Sequence, residues 1–376
     1  MTTVRGVDTL FVYWGRRGPL GLLTLQLADV LERRPDLRAA ISYSAQNELA
    51  MQLGAKAPIA APFPTFNRGI GALLCLPAFL LRLRGAVAGW RAQGVRTIVI
   101  LMPHVWTPFL SSAARQAGIA TIVLVHDAAR HPGDRTAAVQ GWLLSDLGRV
   151  NRVVTLSRVV TEQLVAHRPI LATRTVTLFH PWLGSKIASS GLSRSGTLRV
   201  LWFGRIMRYK GLPLLVEAAK LLASQNVPVD LTVAGEGDLS AELPGLKQLG
   251  ARTINHWLSN DEIAALLAEC DVVALPYVEA SQSGVIAAAL GAGRPVVATP
   301  VGGLVEQIDS GVNGLICARV DASAFAETLG GLARDRRLLA RLHEGAARPA
   351  AEHGIEAFAV ALMDLTREAA ERNGNL

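Results

Sequence analysis

Residues 200–222 read VLWFGRIMRYKGLPLLVEAAKLL: an apolar run of strand length, a glycine, two cations five residues apart, a second glycine and a helical pattern. Residues 200–203 suit a buried parallel strand, and Gly204 lets the backbone approach a ligand. Leu212, Leu215, Val216, Ala219 and Leu222 give the following helix one apolar face. Arg205 and Lys210 therefore fall at the carboxyl end of a strand, beside a helix N-terminus. In open α/β sheets that is where ligands bind, and a helix N-terminus with Arg and Lys nearby suits phosphate oxygens. A solvated basic loop accounts for the same residues, because strand-glycine-helix units are common.

The N-terminal half reads as a second open α/β domain. Apolar runs at 10–14, 97–102, 120–125 and 152–156 alternate with helical patterns at 20–31, 108–116 and 136–147. A chain of 376 residues holds two such domains, each with its own core, and a 50% hydrophobic content argues against extensive disorder. Cys75, Cys270 and Cys317 lie far apart without metal-like spacing and read as reduced core thiols of a cytosolic protein. The start MTTVRGVDTL has no apolar stretch of the kind a signal peptide needs. No GxGxxG follows the first strand, which disfavours an NAD-dependent enzyme.

From Asp271 the chain continues as strand, loop, helix, strand, glycine-rich turn and helix. With FGRI and KG, this half also contains VAGEG at 233–237, LPY at 275–277, GRPVVAT at 293–299 and GGLVE at 302–306. In that order the motifs resemble the retaining glycosyltransferases of family 4, specifically over residues 200–316 and weakly before. The resemblance implies the GT-B fold, two Rossmann-like doubly wound α/β domains facing a central cleft. It implies an acceptor-binding domain over 1–190, a nucleotide-sugar-binding domain over 191–350, and a helix over 351–376 that crosses back to the first domain.

The same resemblance assigns roles. Arg205 and Lys210 would meet the charge left on a departing nucleotide diphosphate. His126, after the strand ending at Val125, matches a histidine near the donor sugar. Gly204, Gly235, Glu236, Asn255 and His256 would contact the donor, the last two where the family seats the base. Most members carry two glutamates separated by seven residues. Here Glu279 stands at the first position and Ala287 or Ala288 at the second, and the resemblance is to a subgroup with SQSGV. In that motif Ser281 and Ser283 can cap the next helix, while Gly284 and Val285 offer N–H groups to phosphate. No Asp-x-Asp triplet occurs, and His126 with His131 lacks a third ligand. We therefore expect no metal and no cofactor, with a UDP- or GDP-sugar as donor substrate.

Ahead of the first helix, GRRGPLG carries Gly15, Arg16, Arg17 and Gly18, a loop for the acceptor or the diphosphate, or else a tight surface turn. Asp127 and His131 are further candidates for the acceptor pocket. Split at Ser190, the N-terminal half has 21 Lys and Arg against 9 Asp and Glu, net +12; the remainder has 17 against 21, net −4. The basic half points to an anionic acceptor or an anionic membrane, or to a solvated basic face. No nucleic-acid reader motif is present. Residues 69–81 are uncharged but too short to span a bilayer, which needs about 20 apolar residues. Arg82, Arg84, Trp90 and Arg91 follow, a mix suited to a membrane interface or to a buried helix with a basic end, and Pro77 should break or kink it.

The leading expectation is a retaining, metal-independent glycosyltransferase on the inner face of the plasma membrane. It would move a sugar to a lipid-linked saccharide of a surface or exported polysaccharide. The alternatives are an inactive GT-B subunit or scaffold and a soluble transferase acting on small metabolites.

Overall fold

A computed structural model describes residues 6–67, 70–128, 140–184, 196–348 and 352–374. The chain divides into two units: one holds the N-terminal residues through Phe179 and the C-terminal helix, the other holds residues 180–350.

In the first unit, strands β1 (Thr9–Tyr13), β2 (Ala39–Ser44), β3 (Ala60–Phe63), β4 (Thr97–Ile100), β5 (Ala120–Val125), β6 (Arg152–Thr155) and β7 (Thr175–Thr177) form one sheet. Its order is β3-β2-β1-β4-β5-β6-β7 and its pairings are parallel. The alternation of β1 shows why both faces are covered. Leu10, Val12 and Trp14 enter a core with Phe79, Leu83 and Trp90 from the helix Leu76–Ala92. On β1 and β4, Thr9 donates to the Thr366 hydroxyl at 3.2 Å and Thr97 to the Thr366 carbonyl at 3.2 Å. Thr366 lies on the helix Ile355–Gly374, which packs on β4, β5 and the helix Pro19–Arg33.

The second unit repeats the design with β8 (Leu198–Phe203), β9 (Val229–Ala234), β10 (Arg252–Ile254), β11 (Val272–Leu275), β12 (Val296–Ala298) and β13 (Gly314–Ile316). These are parallel in the order β10-β9-β8-β11-β12-β13. Along β8, Leu198, Val200 and Trp202 pack with Leu215, Val216 and Phe325 on one face, while Leu201 and Phe203 pack with Val285 and Ile286 on the other. A strand buried on both faces reads as a continuous apolar run, which is why 200–203 was legible.

Each sheet thus carries the order 3-2-1-4-5-6 of a doubly wound fold. Parallel crossovers leave on opposite sides of the first strand, so a crevice opens at the carboxyl ends between strands one and four. That places one candidate site between β1 and β4 and another between β8 and β11.

Some local expectations change. The pattern expected over 136–147 is helical only at Gln140–Leu143 among the described residues. Pro77 coincides with the expected break: the helix is interrupted at Cys75, between the helices Gly71–Leu74 and Leu76–Ala92. Pro77 sits at the second position of the latter, where its missing N–H has no intrahelical partner to lose. Trp90 is 9% exposed, and its ring lies 6.4 Å from that of Phe63. With Phe79, Leu83, Ala86 and Val87 it forms the inward stripe of the helix, so it is not available to a bilayer.

Candidate functional site

In the second unit, the β8 strand delivers the chain to Gly204, whose φ is 116°. A Cβ there would stand 2.8 Å from the Lys210 Nζ and 3.5 Å from a Val285 methyl, so the glycine makes room for the ammonium. Residues 208–210 form one 3₁₀ turn, and Trp202 Nε1 donates to the Lys210 carbonyl at 3.4 Å. Gly211, at φ 66°, lies so close to the Pro276 carbonyl that a Cβ would approach it to 1.8 Å. Val278 N–H donates to the Tyr209 carbonyl at 2.8 Å. These contacts hold the loop after β8 against the loop after β11.

The Lys210 ammonium lies 5.3 Å from the centre of the Tyr277 ring. Burial pushes it down to about 8, and Arg205 acts in the same direction. Arg205 itself is exposed. Among the described residues no carboxylate or hydrogen-bond acceptor engages either side chain. Two cations thus stand together at the switch point with no counter-charge, an arrangement suited to an anion of two or more charges.

The other wall is the N-terminus of the helix Gly284–Gly291. Ser283 caps it, accepting from the Val285 N–H at 3.2 Å. Gln307, which sequence reasoning passed over, fixes the cap: its Oε1 accepts from the Ser283 N–H at 2.7 Å and its Nε2 donates to the Ser283 carbonyl at 3.1 Å. Ser281 is buried and Glu279 exposed. The helix carries no carboxylate: Ala287 is fully buried, and its carbonyl accepts from Leu183 N–H at 3.0 Å. Ala288 packs against the core.

Other residues predicted to contact the donor also make contacts within the fold. Gly235 and Gly237 allow the β8 and β9 loops to touch, since a Cβ on them would lie 1.9 Å from the Gly204 carbonyl and 2.6 Å from the Ile206 Cβ. Asn255 is spent on Gly237, accepting from its N–H at 3.3 Å and donating to its carbonyl at 3.1 Å. His256 Nε2 meets Glu262 Oε1 at 2.7 Å, and Glu262 completes a capping box with Ser259. Glu236 is exposed.

The switch point of the first unit has different chemistry. Glu48 Oε1 accepts from the Gly18 N–H at 2.9 Å, and Asn47 Nδ2 donates to the Gly15 carbonyl at 2.8 Å. These contacts hold the loop ahead of the Pro19–Arg33 helix, and they put a carboxylate on the Gly18 N–H while leaving the first-turn N–H groups of the helix without a side-chain cap. Arg17 is exposed, and Arg16 lies 6.0 Å from the centre of the Phe66 ring.

Across from this loop, at the end of β4, stands His104, which sequence reasoning missed. Its ring lies 5.3 Å from Phe66, 5.5 Å from Trp106 and 6.1 Å from Trp14. Burial, with Arg16 adding to it, pushes the imidazole down to about 4. Nδ1 accepts from the Trp106 N–H at 3.3 Å, so the neutral ring carries its proton on Nε2. One strand over, His126 donates from Nε2 to the Leu101 carbonyl at 2.8 Å, and burial holds it below its ordinary value. Asp127 is exposed, and His131 lies outside the described residues. Among the described residues no group of three His, Cys, Asp or Glu is placed to hold a metal ion.

The comparisons with known proteins fall on the same features. Residues 197–335, which hold Gly204, Arg205, Lys210 and the SQSGV helix, match the family model described as glycosyl transferases group 1. The second unit carries a glycosyl transferases group 1 domain. By sequence the chain is 30% identical over 176 residues to the alpha-D-kanosaminyltransferase of Streptomyces kanamyceticus, covering 45% of each chain. It is 33% identical over 178 residues to a D-inositol 3-phosphate glycosyltransferase of Xylanimonas cellulosilytica, covering 46% of this chain and 43% of that one. The chain thus spans less than half the length of these curated relatives. As a fold, it matches the Anabaena HepE structure in complex with UDP and glucose with a TM-score of 0.69 and 17% identity, over 96% of this chain and 99% of that one. The architecture is that of GT-B glycosyltransferases, two parallel-sheet Rossmann-like domains.

Proposed function

We propose that this protein is a retaining glycosyltransferase that takes a sugar from a nucleotide-diphosphate donor without a metal ion. The observation that carries the reading is the pair Arg205 and Lys210, unpaired among the described residues, beside the capped helix at the β8–β11 switch point. Cleaving the bond from an anomeric carbon to a nucleotide diphosphate leaves negative charge on the β-phosphate and oxocarbenium character on the sugar. The two cations meet that charge, a contact of the kind whose loss costs about 3–4 kcal/mol of barrier lowering. In front-face attack the departing phosphate oxygen takes the acceptor's hydroxyl proton as the new glycosidic bond forms. His126, neutral and oriented by Leu101, is the hydrogen-bonding group for the sugar.

For the acceptor we favour a lipid-linked saccharide of a surface or exported polysaccharide, met at the inner face of the plasma membrane. Basic charge on the first unit's exposed Arg82, Arg84 and Arg91 supports this. A second reading, a small polar acceptor, is favoured by the names of the sequence relatives, which include a D-inositol 3-phosphate glycosyltransferase. The bare SQSGV helix motivates a third, an inactive subunit, against which the intact cation pair argues.

Titration with UDP, GDP and their sugars in the presence of a chelator tests the donor reading. Selective binding or slow donor hydrolysis, lost in Arg205→Ala/Lys210→Ala, is expected. No binding of any nucleotide by the folded protein would favour the inactive-subunit reading.

A further inference from the structure

The first unit exposes an apolar edge that its core does not use. Ile70, Leu73, Leu74 and Leu81 are 70%, 74%, 74% and 78% exposed, four of the large exposed apolar side chains within twelve residues. They lie on the helices Gly71–Leu74 and Leu76–Ala92 and the turn leading into them. The second helix is fixed by its opposite side, where Phe79, Leu83, Ala86, Val87 and Trp90 are buried. Pro77, Leu81, Arg84, Ala88 and Arg91 recur at spacings of four and three along its outer side. That stripe is apolar at its start and basic toward its end. Concentrated exposed leucines mark an interaction surface rather than scattered surface residues.

Charge says what covers it. Between Glu48 and Asp127 the sequence contains seven Lys or Arg and no Asp or Glu. Of these, Lys56 is paired with Asp29 and Glu32, and Arg115 faces Asp146. A protein partner with an apolar face would satisfy the leucines, but the exposed Arg82, Arg84 and Arg91, on a helix that carries no carboxylate, match an extended anionic plane. The edge is also tied to the β4 end of the sheet: Trp106 Nε1 donates to the Ala72 carbonyl at 3.1 Å, and Trp106 packs 5.5 Å from His104. A surface bound there lies next to the candidate site of its own unit. No described helix is long and apolar enough to cross a membrane, so contact is interfacial.

We propose that this helical edge docks on an anionic lipid bilayer, with Ile70, Leu73, Leu74 and Leu81 entering the acyl boundary and Arg82 and Arg84 at phosphate level. The inference names the partner surface of the lipid-linked reading, yet it is measured without donor or acceptor, so either can fail alone.

The test is co-sedimentation of the full chain with phosphatidylcholine vesicles and with equimolar phosphatidylcholine–phosphatidylglycerol vesicles. Binding is expected to the anionic vesicles only, weakening as salt rises. Leu73→Ser/Leu74→Ser/Leu81→Ser should remove it at every salt concentration. Arg82→Gln/Arg84→Gln should weaken it about 25-fold, roughly fivefold per arginine. Because all five side chains are exposed, thermal unfolding and UDP binding should be unchanged in both variants. Equal binding to both vesicle types, retention in the leucine variant, or no vesicle binding by the unmodified protein would overturn the proposal. So would loss, in the leucine variant, of a dimer seen by sedimentation velocity without lipid.

Discussion

The two units share one strand order and differ in what they place at its switch point. Between β8 and β11 stand two cations without a counter-charge, and between β1 and β4 a neutral histidine sits among aromatic rings, with the Glu48 carboxylate on the Gly18 N–H of the nearby loop. Topology fixes where a ligand can sit, and the side chains decide which kind. The second unit is built to draw an anion. The first offers rings, an N–H donor on His104 and a surface arginine, a combination suited to a sugar ring more than to a diphosphate.

The second unit also contains a buried charge that is fully paired, and it sharpens the contrast. Asp271 is fully buried, accepting from the Arg199 guanidinium at 2.7 Å and from the Arg199 N–H at 2.9 Å. It precedes β11 and faces β8 at the amino ends of the strands, away from the switch point. Asp271→Ala should cost about 1–3 kcal/mol in denaturant unfolding by removing the acceptor of the Arg199 N–H and the guanidinium's partner, with UDP affinity retained once the variant is folded. A loss below about 1 kcal/mol would show the pair to be no more than a surface bridge.

Lys210 should behave in the opposite sense. Its ammonium is pushed below the ordinary lysine value to about 8, so between pH 8 and 10.5 the unfolded chain binds more protons and stability rises with pH. At neutral pH the folded protein carries that penalty. Lys210→Met should therefore stabilise the chain by up to about 3 kcal/mol at pH 7 while abolishing UDP binding. In the unmodified protein UDP binding at pH 8 should take up protons, seen as a dependence of the calorimetric heat on buffer ionisation enthalpy. A destabilised Lys210→Met that still binds UDP would assign the lysine to the fold and erase the contrast with Asp271.

On the first unit's side, His104 is held at about 4, below its ordinary 6.5. Its contribution is complete above pH 6.5 and is lost as pH falls toward 4, up to about 3 kcal/mol. Burial pushes His126 and His343 in the same direction, so acid unfolding draws on all three. His104→Gln should flatten the stability curve between pH 6.5 and 4 without removing the decline. An unchanged curve would mean that the ring is solvated and that the aromatic site is not closed around it.

Much of the second unit could be read from the sequence, because strand, glycine, cations and helix lie within 23 residues, whereas Tyr277, Val285 and Gln307 join them from beyond β11. The first unit's site is assembled from Trp14, Phe66, His104 and Trp106, which no periodicity connects, and His104 in MPHVW carries no local signal of its own. Trp90 failed for a related reason. An amphipathic pattern defines two faces without saying which one the core takes, and the stripe from Phe79 to Trp90 went inward. Gly235, Gly237 and Asn255 show a third limit: a glycine at a strand end reports a close approach but not whether the neighbour is a ligand or another loop.

The finest test of the comparison is the cation that the first unit does place at its switch point. Arg16 lies against Phe66 and holds the His104 imidazole down by like-charge repulsion, a smaller contribution than burial. Because Arg16 is exposed, solvent screens the interaction, and its worth should be below about 1 kcal/mol. Arg16→Ala should raise the His104 titration, followed by the imidazole proton shifts in NMR, with a slight gain in stability near pH 5. Raising the salt concentration should reproduce part of that rise in the unmodified protein, since screening weakens the same repulsion. If the titration stays where it was, Arg16 does not act on the histidine. The first unit's site would then be apolar and neutral throughout, and its difference from the Arg205 and Lys210 site would be one of kind rather than of degree.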